Sequence, residues 1–166
     1  MADKFLKQNN GVLEEVSPIT VSAGATDAGK IPALNAAGQF DPSFIEGSDV
    51  SRSMMAFEAL AAGDFINLYN DAGTIKLRKT DANGKPADGF VLTAIGAGAS
   101  GVAKFEGVNS QLAGLTPGTT YYLSNVTPGG VTNTPPTTAG HLVQKLGIAL
   151  SATEILFEPH PPIKLA

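Results

Sequence analysis

The chain contains no cysteine and no tryptophan, and only 16% of its 166 residues are charged. Without cysteine it has no disulfide, no thiolate metal site and no thiol nucleophile. No apolar run reaches the roughly 18 residues that span a bilayer. The formal net charge of -4 lacks the basic excess that binds nucleic acid or anionic lipid. These absences predict a chain with neither a nucleic-acid nor a membrane partner.

The low charge also bears on association between chains. Average soluble domains contain about 25% charged residues, and well-dispersed surfaces carry about 25–35%. The polar residues of this chain are largely Ser, Thr, Asn and Gln. The deficit favours a surface that is covered in an assembly, and the alternative is a small β domain with an exterior rich in Ser and Thr.

Residues 1–50 are predicted to form an irregular N-terminal arm, because their apolar residues occur in short patches with neither a helical nor a strand period. A short hairpin is expected around Ala36-Ala37-Gly38, where glycine can adopt the positive φ of a turn. Pro32 has no N–H, so its strand pairs on one side only. Because so few apolar residues cannot bury one another, the arm must pack on the following domain or on other copies of the chain.

Residues 51–158 are predicted to form a β domain. Apolar or alternating runs such as Phe65–Tyr69 and Thr74–Lys79 are separated by turns rich in Gly, Pro, Asn and Asp. About eight short strands without a convincing helix are typical of a small β barrel or sandwich. The predicted fold class is therefore all-β, and the proline-rich residues 159–166 are expected to form an extended C-terminal tail.

Two glycine-rich segments resemble phosphate-binding loops without their full chemistry. Gly24–Lys30 fits most of the P-loop pattern, but Ile31 stands where a hydroxyl would hold Mg²⁺, and Pro32 interrupts the helix that should follow. Gly96–Gly101 fits the dinucleotide-binding pattern, but a strand pattern follows it instead of a helix. Both segments are interpreted as connecting loops.

The remaining polar residues show no catalytic arrangement. His141 and His160 stand apart from any carboxylate cluster, which is typical of solvated surface residues rather than metal ligands. Neither a nucleophile elbow nor a suggestive pair of carboxylates occurs. We predict no enzyme activity, no catalytic residue, no metal and no cofactor.

The stretch 27–43 resembles a segment that recurs in tailed-bacteriophage virion proteins, namely fibre, head-fibre and capsid-decoration proteins. Three later stretches, 62–71, 114–123 and 144–153, are similar to the same group of short phage structural proteins. The resemblance covers most of the chain. It implies a non-enzymatic virion protein, often a homotrimer, whose N-terminal segment serves as an anchor or stem. The short length favours capsid decoration over a tail fibre, which normally adds a long shaft.

The predicted function is therefore a homotrimeric decoration (cement) protein that binds the major capsid protein on the capsid exterior and stabilises the shell by bridging capsid subunits. Synthesis in the host cytoplasm is expected, because the first residues lack the apolar core of a signal peptide. The alternative is a tail-fibre or receptor-binding module that recognises the host surface through loops 96–101 and 125–140. The candidate anchor residues are apolar residues of the arm: Phe5, Leu6, Val12, Leu13, Ile31, Leu34, Phe40, Phe44 and Ile45.

Overall fold

The structure, a computed structural model, describes residues 4–41, 44 and 50–166. The chain divides into two compact units, Met1–Ser48 and Asp49–Ala166. The described residues include a short 3-10 helix and no α-helix, and the sheets are built from antiparallel strand pairs. The prediction of an all-β fold is confirmed.

The first unit contains a two-stranded sheet, in which β1 (Phe5–Asn9) pairs antiparallel with β2 (Val12–Val16). A single 3-10 turn (Gly24–Asp27) follows, and Ile19 forms an isolated parallel bridge with Pro32. None of the described side chains in this unit is fully buried. Its described part therefore lacks a hydrophobic core of its own.

The first sheet of the second unit has five strands: β3 (Ser51–Met55), β4 (Phe65–Asp71), β5 (Thr74–Lys79), β6 (Gly89–Val91) and β7 (Ser100–Lys104). They are ordered β3-β7-β6-β4-β5. The sheet is curled, because Ala56, just after β3, bridges to Leu77 on the opposite edge strand. One face encloses a buried apolar cluster that includes Ile66, Leu77 and Val91.

The second sheet also has five strands: β8 (Gly107–Asn109), β9 (Thr120–Leu123), β10 (Val131–Thr132), β12 (Lys145–Ala149) and β13 (Ile155–Phe157). Their order is β10-β9-β12-β13-β8. The register between β12 and β9 shifts between Lys145 and Gly147, which marks a β-bulge.

Three phenylalanine rings join the two sheets. Phe65 and Phe90 are paired neighbours in the first sheet, and Phe157 of the second sheet lies 5.4 Å and 5.8 Å from their ring centroids. All three are essentially buried. Burial of each ring contributes about 1.5–3 kcal/mol, and the edge-on arrangement adds about 0.5–1.5 kcal/mol per pair. This cluster is the centre of a small β sandwich.

The C-terminal segment belongs to the second unit. Strand β14 (Ile163–Lys164) pairs antiparallel with β11 (Leu142–Val143). The buried amide of Gln144 donates from Nε2 to the His160 carbonyl at 2.9 Å. These last residues are therefore held in place by contacts within their own unit, without contact with another protein.

Of the two predicted architectures, the sandwich is correct, because neither sheet closes into a barrel in the part of the chain that the structure describes. The prediction of strands at 65–69 and 74–79 is confirmed. The described second unit holds twelve strands, β3 to β14, where about eight were predicted. The difference arises because several strands have only two or three residues and are stabilised by pairing rather than by local sequence pattern.

Candidate interaction surface

The hairpin of the first unit turns on Asn10 and Gly11, which both have positive φ, 48° and 85°. Two consecutive positive φ values are typical of a type I′ turn, and Asn-Gly is its preferred sequence. The local pattern did not predict this hairpin, because the flanking residues do not alternate cleanly between apolar and polar. The Asn-Gly pair between two apolar patches was the signal that could have revealed it.

The hairpin exposes apolar side chains on both of its faces. Leu6, Leu13 and Val12 are 71%, 67% and 61% exposed. Residues paired across two strands share a face, so Phe5 lies with Val16 on one face and Leu6 lies on the other. An isolated two-stranded hairpin is at best marginally stable in water. The arrangement therefore favours contact with another surface.

Polar contacts on the hairpin do not account for its stability. Lys4 Nζ lies 3.0 Å from Glu15 Oε2, with both side chains exposed. Asn9 Nδ2 donates to the Glu14 carboxylate at 3.3 Å, also in an exposed position. Exposed ion pairs contribute about 0–1 kcal/mol. The two adjacent carboxylates thus remain accessible to a binding partner.

The segment that resembles a P-loop is a 3-10 turn closed by its own side chains. Asp27 accepts hydrogen bonds from the Ala23 N–H at 2.5 Å and from Lys30 Nζ at 2.6 Å. The hydrogen bond from Lys30, and next the one from Ala23, lower the pKa of the Asp27 carboxyl below its usual 3.8. The lysine that would contact phosphate is bound to Asp27, and the interpretation as a loop is confirmed.

Pro32 lies in the one-sided pairing that its missing N–H predicts. The Ile19 N–H donates to the Ile31 carbonyl at 3.0 Å, and the Ala33 N–H donates back to the Ile19 carbonyl at 2.8 Å. Both bonds avoid the proline nitrogen. Ile31 is half-buried in this bridge, so it presents less apolar surface than the hairpin residues do.

The predicted turn around Ala36-Ala37-Gly38 is closed by Asn35. Its Oδ1 accepts from the N–H groups of Ala37 and Gln39 at 2.9 Å and 3.1 Å, and Gly38 has φ 72°. The turn is confirmed, but its flanking residues are not regular strands. The Asn35 N–H also donates to the Gln39 carbonyl at 2.8 Å, but the hairpin prediction was wrong in that no strand ladder continues from this bond.

The remaining anchor candidates surround this turn. Leu34 and Phe40 are exposed, whereas Phe44 is half-buried. The rings of Phe40 and Phe44 lie 6.3 Å apart in an edge-on arrangement. Ile45 lies outside the described residues. The candidates that the structure leaves exposed are Phe5, Leu6, Val12, Leu13, Leu34 and Phe40.

A further exposed apolar row, which was not predicted from the sequence, crosses the second sheet. Ile148, Leu156 and Val108 stand directly opposite one another on β12, β13 and β8, and all three are exposed. Because Ile155, Leu156 and Phe157 are all apolar, the sequence does not show which of them faces outward. The pairing register makes the row visible.

The two loops considered for receptor binding differ in structure. In the glycine-rich segment 96–101, residues 96–99 connect to β7 and the last two residues begin that strand, which confirms the interpretation of this segment as a connection between strands. In the other loop, the Ser124 hydroxyl accepts from the N–H groups of Val126 and Thr127 at 3.1 Å and 2.9 Å. Val126 is 82% exposed at its tip.

The histidines were predicted to be solvated surface residues. Both are half-buried, although the His160 side chain is 41% exposed and its Nε2 lies 3.9 Å from Glu158 Oε2. His141 Nδ1 and His160 Nε2 are buried atoms with no hydrogen-bond partner. The cause is their position in the paired C-terminal segment, where the Leu165 N–H donates to the His141 carbonyl at 2.9 Å. Across the described residues, no group of three or more His, Asp or Glu side chains could hold a metal ion. The described part of the chain also has no helix with the length and apolar character needed to cross a membrane.

Comparisons of the chain with protein-family models, with curated proteins and with solved structures give no match.

Proposed function

We propose that the chain is a bacteriophage capsid decoration protein that binds the major capsid protein on the outside of the shell and bridges neighbouring subunits. The observation that carries this proposal is the contrast between the two units. The first unit exposes Leu6, Val12 and Leu13 on a hairpin without a core, whereas the second unit buries its own apolar clusters. The sequence resemblance to phage virion proteins supports the same function.

The physical basis of such a function is linkage. A protein that binds the assembled shell and not the separated subunits stabilises the assembled state by mass action. Burial of the exposed apolar side chains supplies about 25 cal/mol per Å² of apolar surface removed from water. A homotrimer would present three such anchors at once, so that weak single contacts add to a high avidity. Three-fold positions of an icosahedral lattice suit that symmetry.

The first experiment measures occupancy on virions of the phage that encodes the chain, after its own decoration protein has been removed. The double substitution Leu6→Ser and Leu13→Ser removes apolar surface from the anchor, so we expect at least a roughly tenfold loss of affinity, which is about 1.4 kcal/mol. The control is Val126→Ser, which removes a still more exposed apolar side chain from the second unit. If the double variant decorates virions like the wild type, the hairpin is not the anchor.

Copy number separates decoration from the alternative function. A decoration protein occupies the repeated positions of the lattice, so quantitative mass spectrometry of virions should count hundreds of copies. A tail-fibre or receptor-binding module would be present in a handful of copies, and free protein would block infection. The second result would replace the decoration proposal with the receptor-binding one.

A further inference from the structure

An open groove lies between the two edge strands of the first sheet. Strands β3 and β5 are the ends of that sheet. Just after β3, the Phe57 N–H donates to the Leu77 carbonyl of β5 at 2.7 Å. The groove opens between residues 52–54 of β3 and residues 73–75 at the start of β5. The groove encloses about 620 Å³ and is lined by Arg52, Met54, Ile75 and Phe105, among others.

Along the groove, the first sheet exposes apolar side chains on the same face that is buried in the rest of the sheet. Leu68 stands directly opposite Leu77 and therefore shares its face. Ile75 precedes Leu77 by two residues on the same strand and points the same way. Leu77 is fully buried, but Leu68 and Ile75 are both exposed. The apolar cluster is therefore uncovered at this end of the sheet.

The main chain along the groove is also open. Within the described residues, β3 pairs with β7 on one side and with no strand on the other. A free edge beside uncovered apolar side chains is a template for the addition of an extended strand. Main-chain hydrogen bonds from the added strand would pair the open N–H and C=O groups of β3, and alternate side chains of that strand would cover Leu68 and Ile75.

The charge of the groove indicates what such a strand carries. Arg52 is exposed and forms no ion pair with any described residue, and no carboxylate is among the residues lining the groove. Of the other basic residues in this sheet, Lys76 and Lys79 already form ion pairs with Asp71 and Asp64, so Arg52 supplies the positive charge of the groove. The complementary strand is acidic and apolar.

This chain has such a strand in its first unit, where residues 1–48 hold six acidic residues and three lysines. Strand β2 reads Val-Leu-Glu-Glu-Val, has five residues like β3, and has one edge unpaired by β1. We infer that β2 of a second copy of the chain adds to the edge of β3, with Glu14, which shares a face with Val12 and Val16, at Arg52. This contact uses the hairpin strand that also carries the proposed anchor residues Val12 and Leu13, but it does not require a capsid.

Charge reversal tests the contact in the full chain by light scattering or sedimentation. We expect the wild type to form a multi-copy species. Arg52→Glu should weaken that association at least tenfold, and so should the double substitution Glu14→Arg and Glu15→Arg. The combination of all three substitutions should restore it. Lys164→Glu reverses another exposed charge and is the matched control. A wild type that is single-copy at every concentration, an unaffected Arg52→Glu variant, or no restoration in the combined variant would each overturn the inference.

Disulfide trapping gives a second test that keeps Arg52 and both carboxylates. The chain has no cysteine, so any covalent dimer comes from introduced residues. We expect a mixture of Ser53→Cys and Leu13→Cys proteins to form the mixed dimer on mild oxidation, and a mixture of Ser53→Cys and Lys164→Cys proteins to form it only at background level. Equal yields in the two mixtures would contradict the contact. If the chain fails to self-associate but decorates virions, the inferred contact is wrong and the proposed function stands. If the chain self-associates through this contact but does not decorate virions, the contact stands and the proposed function is wrong.

Discussion

Gly147 lies in van der Waals contact with the main chain of Leu156, and a Cβ atom at this glycine would overlap the Leu156 carbonyl oxygen. The glycine is part of the bulge in β12, at the register shift against β9. The close approach allows β12 and β13 to pair while Ile148 and Leu156 stand opposite each other on the outer face. The backbone oxygen cannot move aside as a flexible side chain would, so glycine is required here by space.

Replacement of this glycine should therefore be costly. We expect Gly147→Ala to lower the free energy of unfolding of the second unit by about 2–4 kcal/mol, because overpacking against a backbone atom forces β12 and β13 apart. Gly118→Ala is the control: that glycine has φ 78° but nothing within 4 Å of the new Cβ, so only the backbone strain of about 1 kcal/mol applies. Urea unfolding followed by far-UV circular dichroism measures both. Equal losses of unfolding free energy in the two variants would show that the close contact with Leu156 is not the reason glycine is required at position 147.

Gln144 connects three parts of the second unit through its buried amide. Nε2 donates to the carbonyl groups of Ala87 and His160, both at 2.9 Å, and Oε1 accepts from the Ala87 N–H at 2.7 Å. Gln144→Met keeps the volume but leaves three backbone groups without partners, at a cost of about 1–3 kcal/mol each if they stay buried. We expect faster hydrogen exchange at residues 140–165 and a lower unfolding midpoint. Gln111→Met, at an exposed position, should leave both measurements unchanged; if Gln144→Met also does, the amide does not secure the C-terminal segment.

The parts of the fold that the sequence predicts are those set by local pattern. The hairpin of β4 and β5 could be predicted because its strands alternate and because its turn ends in Gly73, which has φ 92°. Contacts between distant segments could not. The pairing of Leu142 with Lys164 joins two strands of two residues each, and neither has a pattern of its own. The space at Gly147 depends likewise on a neighbouring strand and leaves no local signal.

The candidate site divides in the same way. The sequence identifies the apolar side chains of the arm, and the structure leaves Leu6 and Leu13 exposed as a candidate anchor requires. It does not show that Ile31 would be half-buried by a bridge from Ile19. The groove beside Arg52 was beyond prediction, because it exists where the two edge strands of a curled sheet separate, and strand order is a tertiary property.

The carboxyl group of Asp27 provides a test by titration. Its pKa is lowered from the usual 3.8 by the hydrogen bond from Lys30 and then by that from Ala23. Because the Asp27 pKa is lower in the folded chain than the unfolded value of 3.8, the ionised carboxylate stabilises the folded chain at pH values above 3.8. That stabilisation is lost as the pH falls through the folded pKa. Lys30→Gln should move the Asp27 titration, followed by carboxyl carbon NMR, upward toward 3.8. Lys7→Gln removes a lysine elsewhere in the arm and should not move it; an unchanged Asp27 titration in the Lys30 variant would exclude Lys30 as the cause.

The turn of the arm hairpin joins local backbone geometry to the proposed anchor. Gly11 has φ 85° and nothing within 4 Å of a new Cβ, so Gly11→Ala adds backbone strain of about 1 kcal/mol without a steric clash. Because a hairpin of two strands is only marginally stable, we expect hydrogen-exchange protection of residues 5–16 to fall about five- to tenfold. Gly38→Ala is matched, with φ 72° and equal open space in another turn of the same unit, and should leave that protection intact. Virion occupancy should fall for Gly11→Ala and not for Gly38→Ala, because an anchor must be ordered before it binds. If Gly11→Ala lowers hydrogen-exchange protection but not occupancy, the hairpin is not the anchor.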